Sequence, residues 1–281
     1  GVNPRPSNCP DEKGKEMIVV SLGAGVQSSV MALMAAKGEL PMPDCAIFSD
    51  TQWEPKAVYE HLNWLEEQLP FPVYRVTNGS LRNDAIANEP VRGRGTKKFS
   101  SIPWYTDAGG MGRRQCTFDY KIVPLNKKLR SLCGYRPRQR IPVGSVELWI
   151  GISTDEATRM KPSRERWIEN TWPLIDKSMS RQQCLRWFES HYPGRKLGKS
   201  SCLGCPFHNN SAWRELKIGD PEEWADTVLV DSLIRDGGKN KDSKQYMHRS
   251  LNPIDQVDFR NLEDKGQLNM FEDECEGMCG V

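Results

Sequence analysis

The segment Val20-Ser-Leu-Gly-Ala-Gly-Val-Gln-Ser-Ser-Val30 constrains this chain more than any other. It continues Met17-Ile-Val, a β-branched run that reads as a buried strand. It leads into Val30-Met-Ala-Leu-Met-Ala-Ala-Lys-Gly38, a run of helix formers that stops at glycine. Between strand and helix, glycine lets the backbone turn tightly and approach a ligand. The helix then begins with Ser28 and Ser29, so free backbone N–H groups and the positive end of its dipole face the turn, which makes it an anion site suited to phosphate or pyrophosphate. Ser21, Ser28 and Ser29 are positioned to add hydroxyl donors. No Gly-Lys-Ser/Thr is present, so this is not a Walker A loop, and the dinucleotide fingerprint lacks its third glycine.

The alternation continues downstream. Residues 45–49 read as a second strand ending at Asp50-Thr51. Residues 56–68 read as a helix with Val58, Leu62 and Leu65 at helical spacing, and residues 72–76 as a third strand. Strand, helix, strand, helix, strand in short succession predicts an α/β fold with a parallel sheet. Residues 123–132, 182–189 and 221–234 read as helices and residues 146–152 as a strand. The pattern weakens over residues 78–115, a length that fits a lid, a binding loop or a disordered segment. At 281 residues one or two domains are expected. We divide the chain into a disordered leader (1–16), a nucleotide-binding α/β domain with a metal-binding insert (17–235), and a C-terminal extension and tail (236–281).

Nine cysteines, an odd number without an export signal, favour metal or thiol chemistry over a disulfide framework. No apolar run approaches the roughly 20 residues that cross a bilayer, so a cytoplasmic location without membrane contact is expected. Cys45 and Cys184 lie in apolar patterns and read as core filler, and His61 as a packed surface histidine. Cys202-Leu-Gly-Cys205 is a chelating turn able to hold one metal or one cluster face. Cys275 and Cys279 sit on an acidic tail that raises thiol pKa values. They read as a mobile nucleophile, a reversible disulfide, metal ligands or inert residues. The net charge of +2 does not demand a nucleic-acid partner, although basic loops at 92–98 and 113–121 suit phosphate contacts.

The residues from Gly23 to Ser29 resemble the PP-loop of the adenine nucleotide α-hydrolase superfamily, usually Ser-Gly-Gly-x-Asp-Ser. Here Gly23 replaces the first Ser, Ala24 a Gly, and Gln27 the Asp. Asp50-Thr51 resembles the Asp-Thr-Gly of phosphoadenosine phosphosulfate (PAPS) reductases. The segment from Arg114 to Pro124, with Cys116, resembles their cysteine-containing stretch. Gly151-Ile-Ser-Thr-Asp-Glu-Ala-x-Arg159 resembles their Gly-Ile-Arg-x-x-Glu-Ser-x-Arg, and Cys202-x-x-Cys205 falls at their second cysteine pair. On these residues the chain is identified as a PAPS reductase-like member of that superfamily.

The resemblance implies a Rossmann-like (HUP-type) α/β/α sandwich with a C-terminal helical, cysteine-containing extension. It implies an adenine nucleotide held by Ser21, Gly23, Gly25, Gln27, Ser28, Ser29, Asp50, Thr51 and Arg159. It also implies a [4Fe–4S] cluster, or zinc, on Cys116, Cys202 and Cys205, with reduced thiols that hold no metal as the remaining alternative. The family's clusters use a Cys-Cys pair besides the Cys-x-x-Cys, and Gln115-Cys116 leaves that set one short. An open iron, Cys133, His208, Cys275 or Cys279 would complete it. Three functions are implied. In the first, ATP with Mg²⁺ is cleaved between its α- and β-phosphates and sulfur is transferred to a nucleic acid or small molecule. In the second, a sulfonucleotide is reduced through a tail cysteine. In the third, the chain is a non-catalytic nucleotide-binding subunit of a phage or CRISPR-type defence assembly. As partners, a second copy in a homodimer or the other subunits of a defence complex are expected. The catalytic candidates are Cys275, Cys279 and Glu156.

Overall fold

Short β-branched runs separated by helix-forming segments build a parallel sheet in the computed structural model, which describes residues 16–87, 102–198, 200–236 and 243–260. Along the chain the elements begin with β1 (Met17–Ser21), α1 (Val26–Ala36), β2 (Cys45–Asp50), α2 (Lys56–Gln68), β3 (Val73–Thr77), α3 (Leu81–Ile86) and β4 (Tyr105–Thr106). A π-helical stretch (Thr117–Ile122) leads into α4 (Val123–Leu132), β5 (Val146–Ile150), a 3₁₀ turn (Thr154–Arg159) and β6 (Ile168–Thr171). Then follow α5 (Pro173–Asp176), α6 (Arg181–His191), α7 (Asn210–Gly219), α8 (Pro221–Leu233), β7 (Gln245–Tyr246) and a 3₁₀ turn (Ile254–Gln256).

The chain forms two compact units. The first comprises residues 1–50, 56–77 and 122–200 and carries a five-stranded sheet of order β3-β2-β1-β5-β6. All its pairings are parallel, with Val19 opposite Cys45 on one side and Leu148 on the other. Successive strand residues face opposite sides. Val20, Ala46, Phe48 and Trp149 pack with α1, α2 and α6, whereas Val19, Ile47, Leu148 and Ile150 pack with Leu125 and Leu129 of α4. Both faces are covered, which is why the strands read as continuous apolar runs rather than alternating ones. The result is the Rossmann-like α/β/α sandwich expected from the sequence. Cys45 and Cys184 are buried in its cores as anticipated.

Two sequence readings are corrected here. The first long helix starts at Val26, two residues ahead of the Ser28-Ser29 opening read from the sequence, so Gln27 also belongs to its opening turn. His61 is not a surface residue: it is 6% exposed, on the face of α2 that also buries Val58, Leu62 and Leu65.

The second unit comprises residues 51–55, 78–121 and 201–281. Its described part holds α3, α7, α8 and the antiparallel pair β4–β7, around a core of Trp53, Leu81, Trp104, Tyr120, Trp213 and Met247. Residues 78–115, patternless in sequence, therefore contribute Leu81, Ile102 and Trp104 to a core. Asp231 organises the C-terminal part. It is 2% exposed, pairs with Arg235, and accepts from the backbone N–H groups of Met247 (3.0 Å) and Ile254 (3.1 Å). Among the described residues no helix is long and apolar enough to cross a membrane. The expected leader up to residue 15, the basic loop at 92–98 and the tail with Cys275 and Cys279 lie outside the described residues.

Candidate nucleotide turn and cysteine pocket

In the first unit, β1 ends at the sheet's centre and the chain turns through residues 22–25 into α1. Leu22 N–H donates to Ile47 O (2.9 Å), so the strand ladder runs into the turn. Ala24 takes a left-handed φ of +54°, which tightens the turn. Gly25 is the N-cap, and it has no side chain to cap the helix. The first intrahelical bond is Ser29 N–H to Gly25 O (3.0 Å), so the preceding amides of the opening turn stand outside the helical ladder. Ser28 braces the loop from within: its hydroxyl accepts from Gly23 N–H (3.2 Å) and donates to Gly25 O (3.4 Å). A Cβ on Gly25 would meet Ser200 Cβ at 3.3 Å.

The strand order places this turn at a reversal. From β1 the chain moves to β2 on one side, and β5 later adds on the other. In open parallel sheets, ligands bind outside the carboxyl ends of strands at such a crevice. The loop after β5 forms its second wall. Gly151 sits so close to α1 that a Cβ there would lie 2.7 Å from Ser28 N, and Gln27 Nε2 donates to Ser153 Oγ (3.3 Å). Beyond it, Arg159 pairs with Glu156 (2.6 Å). Burial pushes the Glu156 carboxyl above its ordinary value, against the pull of Arg159. Asp50, at the end of β2, accepts from Tyr59 Oη (2.7 Å).

Ser21, Gly23, Gly25 and Gln27 are thus half-buried around the turn, and Ser28 supports it. Ser29 serves differently from expectation. It is fully buried, and its hydroxyl lies 2.9 Å from His61 Nε2, so it faces the protein core. His61, Gly151, Ser153 and Ser200 were not singled out from the sequence as parts of this turn. Contacts across 32, 123 or more residues leave no local spacing signal.

In the second unit, Cys116, Cys202 and Cys205 line one pocket with about 430 Å³ of open space, together with Thr51, Arg114 and Lys121. Leu81, Ile102 and Phe207 supply apolar wall. Cys116 immediately precedes the π-helical stretch, a rare geometry that recurs at functional sites. The Cys-x-x-Cys turn is closed by Cys205 N–H to Cys202 O (3.1 Å) and anchored by Leu203 N–H to Trp53 O (2.9 Å). Gly204 is pressed against the Trp53 ring, and its carbonyl accepts from Trp104 Nε1 (3.2 Å). Beside the pocket the Glu54 side chain is 1% exposed; its Oε1 accepts from Thr51 Oγ1 (3.0 Å) and lies 3.8 Å from Lys121 Nζ.

The described cysteines are unbridged. Three thiols and two cations on one pocket suit a thiolate-ligated centre by donor type. Among the described residues, however, no three His, Cys, Asp or Glu side chains are placed to hold one ion as they stand. Of the suggested fourth ligands, Cys133 is buried with Leu129 and Ile141 in the first unit. His208 lies 2.6 Å from Ser201 Oγ and packs edge-on against Trp213. Cys275 and Cys279 lie outside the described residues.

No protein-family model and no curated protein matches the chain. Among solved structures it is similar to phosphoadenylyl-sulfate (PAPS) reductase from Candida auris, determined as a phosphate complex. The TM-score is 0.38 at 14% identity, over 66% of this chain and 81% of that one.

Proposed function

We propose that the turn between β1 and α1 binds the phosphates of an adenine nucleotide, and that the chain uses ATP, cleaved between its α- and β-phosphates, for sulfur transfer to a nucleic acid or small molecule. One observation supports this above the others. The uncapped start of α1 lies at the central reversal of a parallel sheet, against a β5 loop that only glycine at 151 admits. Amides fixed in that position stabilise the charge that develops on departing pyrophosphate, because they need no reorganisation as the bond breaks. Mg²⁺ would neutralise the phosphate oxygens when bound. Gln27 orients through Ser153, and Ser28 holds the turn in shape.

We assign Cys116, Cys202 and Cys205 as the ligands of a [4Fe–4S] cluster, with zinc as the competing occupant. Arg114 and Lys121 would offset its negative charge. When bound, such a cluster with one site free of protein ligand would supply a binding position for sulfur. Unbridged thiols of this kind persist in the reducing cytoplasm, where we place the protein.

Calorimetry with ATP and with PAPS, together with assays for pyrophosphate and sulfite release, tests the reading. ATP binding with pyrophosphate release is expected. Sulfite release from PAPS would assign the chain as a sulfonucleotide reductase instead. Binding without turnover would assign it as a nucleotide-binding subunit, and absence of binding would remove the turn from any function.

A further inference from the structure

The 21 residues from Asn126 to Val146 hold six Lys or Arg and no Asp or Glu, in a chain whose total is 39 basic against 37 acidic residues. Three of the six, Arg136, Arg138 and Arg140, sit in the loop between α4 and β5, and all three are exposed. That loop is not slack. Gln139 N–H donates to Arg136 O (3.1 Å), and Gln139 Oε1 accepts from Arg136 N–H (3.1 Å). Pro137 fixes one φ, while Arg138 holds a left-handed φ of +68° that few non-glycine residues adopt. The Arg130 guanidinium clamps the loop from beneath, donating to the carbonyls of Arg136 (3.3 Å) and Gln139 (2.6 Å).

A second basic loop meets the first. Lys161, Arg164 and Arg166 are exposed just before β6. The two loops are joined through backbone bonds from Gly144 N–H to Arg166 O (3.3 Å) and Val146 N–H to Trp167 O (3.1 Å). Arg130 also lies over the Trp167 ring, 5.6 Å from its centre, so one side chain ties both loops. Glu165 accepts from Trp167 Nε1 (2.9 Å), and Glu16 lies by Gly144.

We infer that these two loops form a docking surface for the phosphodiester backbone of a nucleic acid. Arginines on a braced backbone lose little freedom on meeting phosphates and can contact them bidentately, which favours a regular polyanion over a fluid lipid surface. Both loops precede parallel strands, so they lie at the opposite edge of the sheet from the turn between β1 and α1. A strand of five residues separates the two edges by about 17 Å. The surface therefore anchors a polymer rather than contacting the nucleotide's phosphates, and it stands independently of the function proposed above.

The test is fluorescence anisotropy of the full chain with labelled duplex DNA, duplex RNA and single strands of one sequence, across a salt series. Binding that weakens with salt is expected. The triple variant Arg136→Ala/Arg138→Ala/Arg140→Ala should bind at least tenfold more weakly, with the logarithmic salt slope reduced by about 2.7 on duplex DNA, about 0.9 for each lost contact. Lys161→Ala/Arg166→Ala should weaken binding on its own while keeping the parent melting temperature. The three nucleic-acid arms identify the polymer. Unchanged affinity in both variants would overturn the inference, as would binding confined to vesicles of anionic lipid, or loss seen only on replacing Arg113 and Arg114. Calorimetry with ATP on the same variants separates this result from failure of the nucleotide turn.

Discussion

Ser29 Oγ and His61 Nε2 lie 2.9 Å apart, both residues buried, and tie the opening turn of α1 to the middle of α2. With both residues buried, bulk water is a poor substitute for either partner. Ser29→Ala leaves the imidazole without that bond, and a loss of about 1–3 kcal/mol is expected. The double variant Ser29→Ala/His61→Leu removes both polar groups and should recover much of that loss, read from urea melts at neutral pH. A double variant no more stable than Ser29→Ala alone would deny that the lost pair explains the effect.

The same burial makes stability pH-dependent. His61 is held down from the ordinary 6.5 to about 4, mainly by burial and then by Arg195. His248 shifts the same way, to about 4, through burial and Arg249. Below pH 6.5 the unfolded chain takes up protons that these native imidazoles refuse, so stability falls as pH drops from 6.5 toward 4. Each histidine contributes a slope of up to about 1.4 kcal/mol per pH unit in that window. Melts between pH 7.5 and 4.5 should show the fall, and the His61→Leu background should show a shallower one.

Gly151→Ala probes the nucleotide turn without touching it chemically. The new Cβ would sit 2.7 Å from Ser28 N and 2.9 Å from Ser28 Cα, and the backbone of α1 must move away. Affinity for ATP should fall at least tenfold, about 1.4 kcal/mol, in calorimetry. Unchanged affinity would mean that phosphate is bound elsewhere.

The sheet was legible because its residues speak locally. Val19, Val20, Ile47 and Phe48 sit in runs that only a doubly covered strand tolerates, and the Gly23 to Ser29 turn joins the first run directly to its helix. Ser29 could not be read that way. Its serine looks like a phosphate donor until α2 brings His61 against it. The second unit was hidden for a related reason: it gathers Trp53, Leu81, Trp104, Trp213 and Met247 from three separate stretches, none periodic enough to announce a core. Cys116 and the Cys202/Cys205 pair were named from spacing and resemblance, and they line one pocket. What sequence did not supply is the Glu54 carboxylate buried beside it, held by Thr51 and Lys121 from different segments.

Metal content should separate the pocket cysteines from the core ones. Anaerobically purified protein is expected to be brown, with absorbance near about 400 nm. Cys202→Ser should lose most of its iron, whereas Cys184→Ser should keep it. Cys184 is fully buried beside α1, its thiol pushed up to about 12 by burial, and it is no ligand. A colourless preparation with stoichiometric zinc would replace the iron–sulfur assignment, and equal losses in both variants would trace the effect to folding.

Gly204→Ala tests whether the Cys-x-x-Cys turn depends on its seat against Trp53. A Cβ at Gly204 would lie 2.1 Å from Trp53 Cη2, far inside contact distance. The indole has little room to yield, because its Nε1 donates to Asp226 (3.0 Å), which Arg82 also grips. The Leu203 amide is bonded to the Trp53 carbonyl as well, so the turn itself must shift. Overpacking of this kind costs about 1–3 kcal/mol. Thermal melts should show that loss, and thiol labelling should show Cys205, 5% exposed in the parent protein, reacting faster. The Trp53→Phe background keeps an aromatic ring but removes the atoms nearest to Gly204, so there the alanine should be tolerated better. Equal damage in both backgrounds would place the constraint in the glycine backbone rather than in its contact with tryptophan.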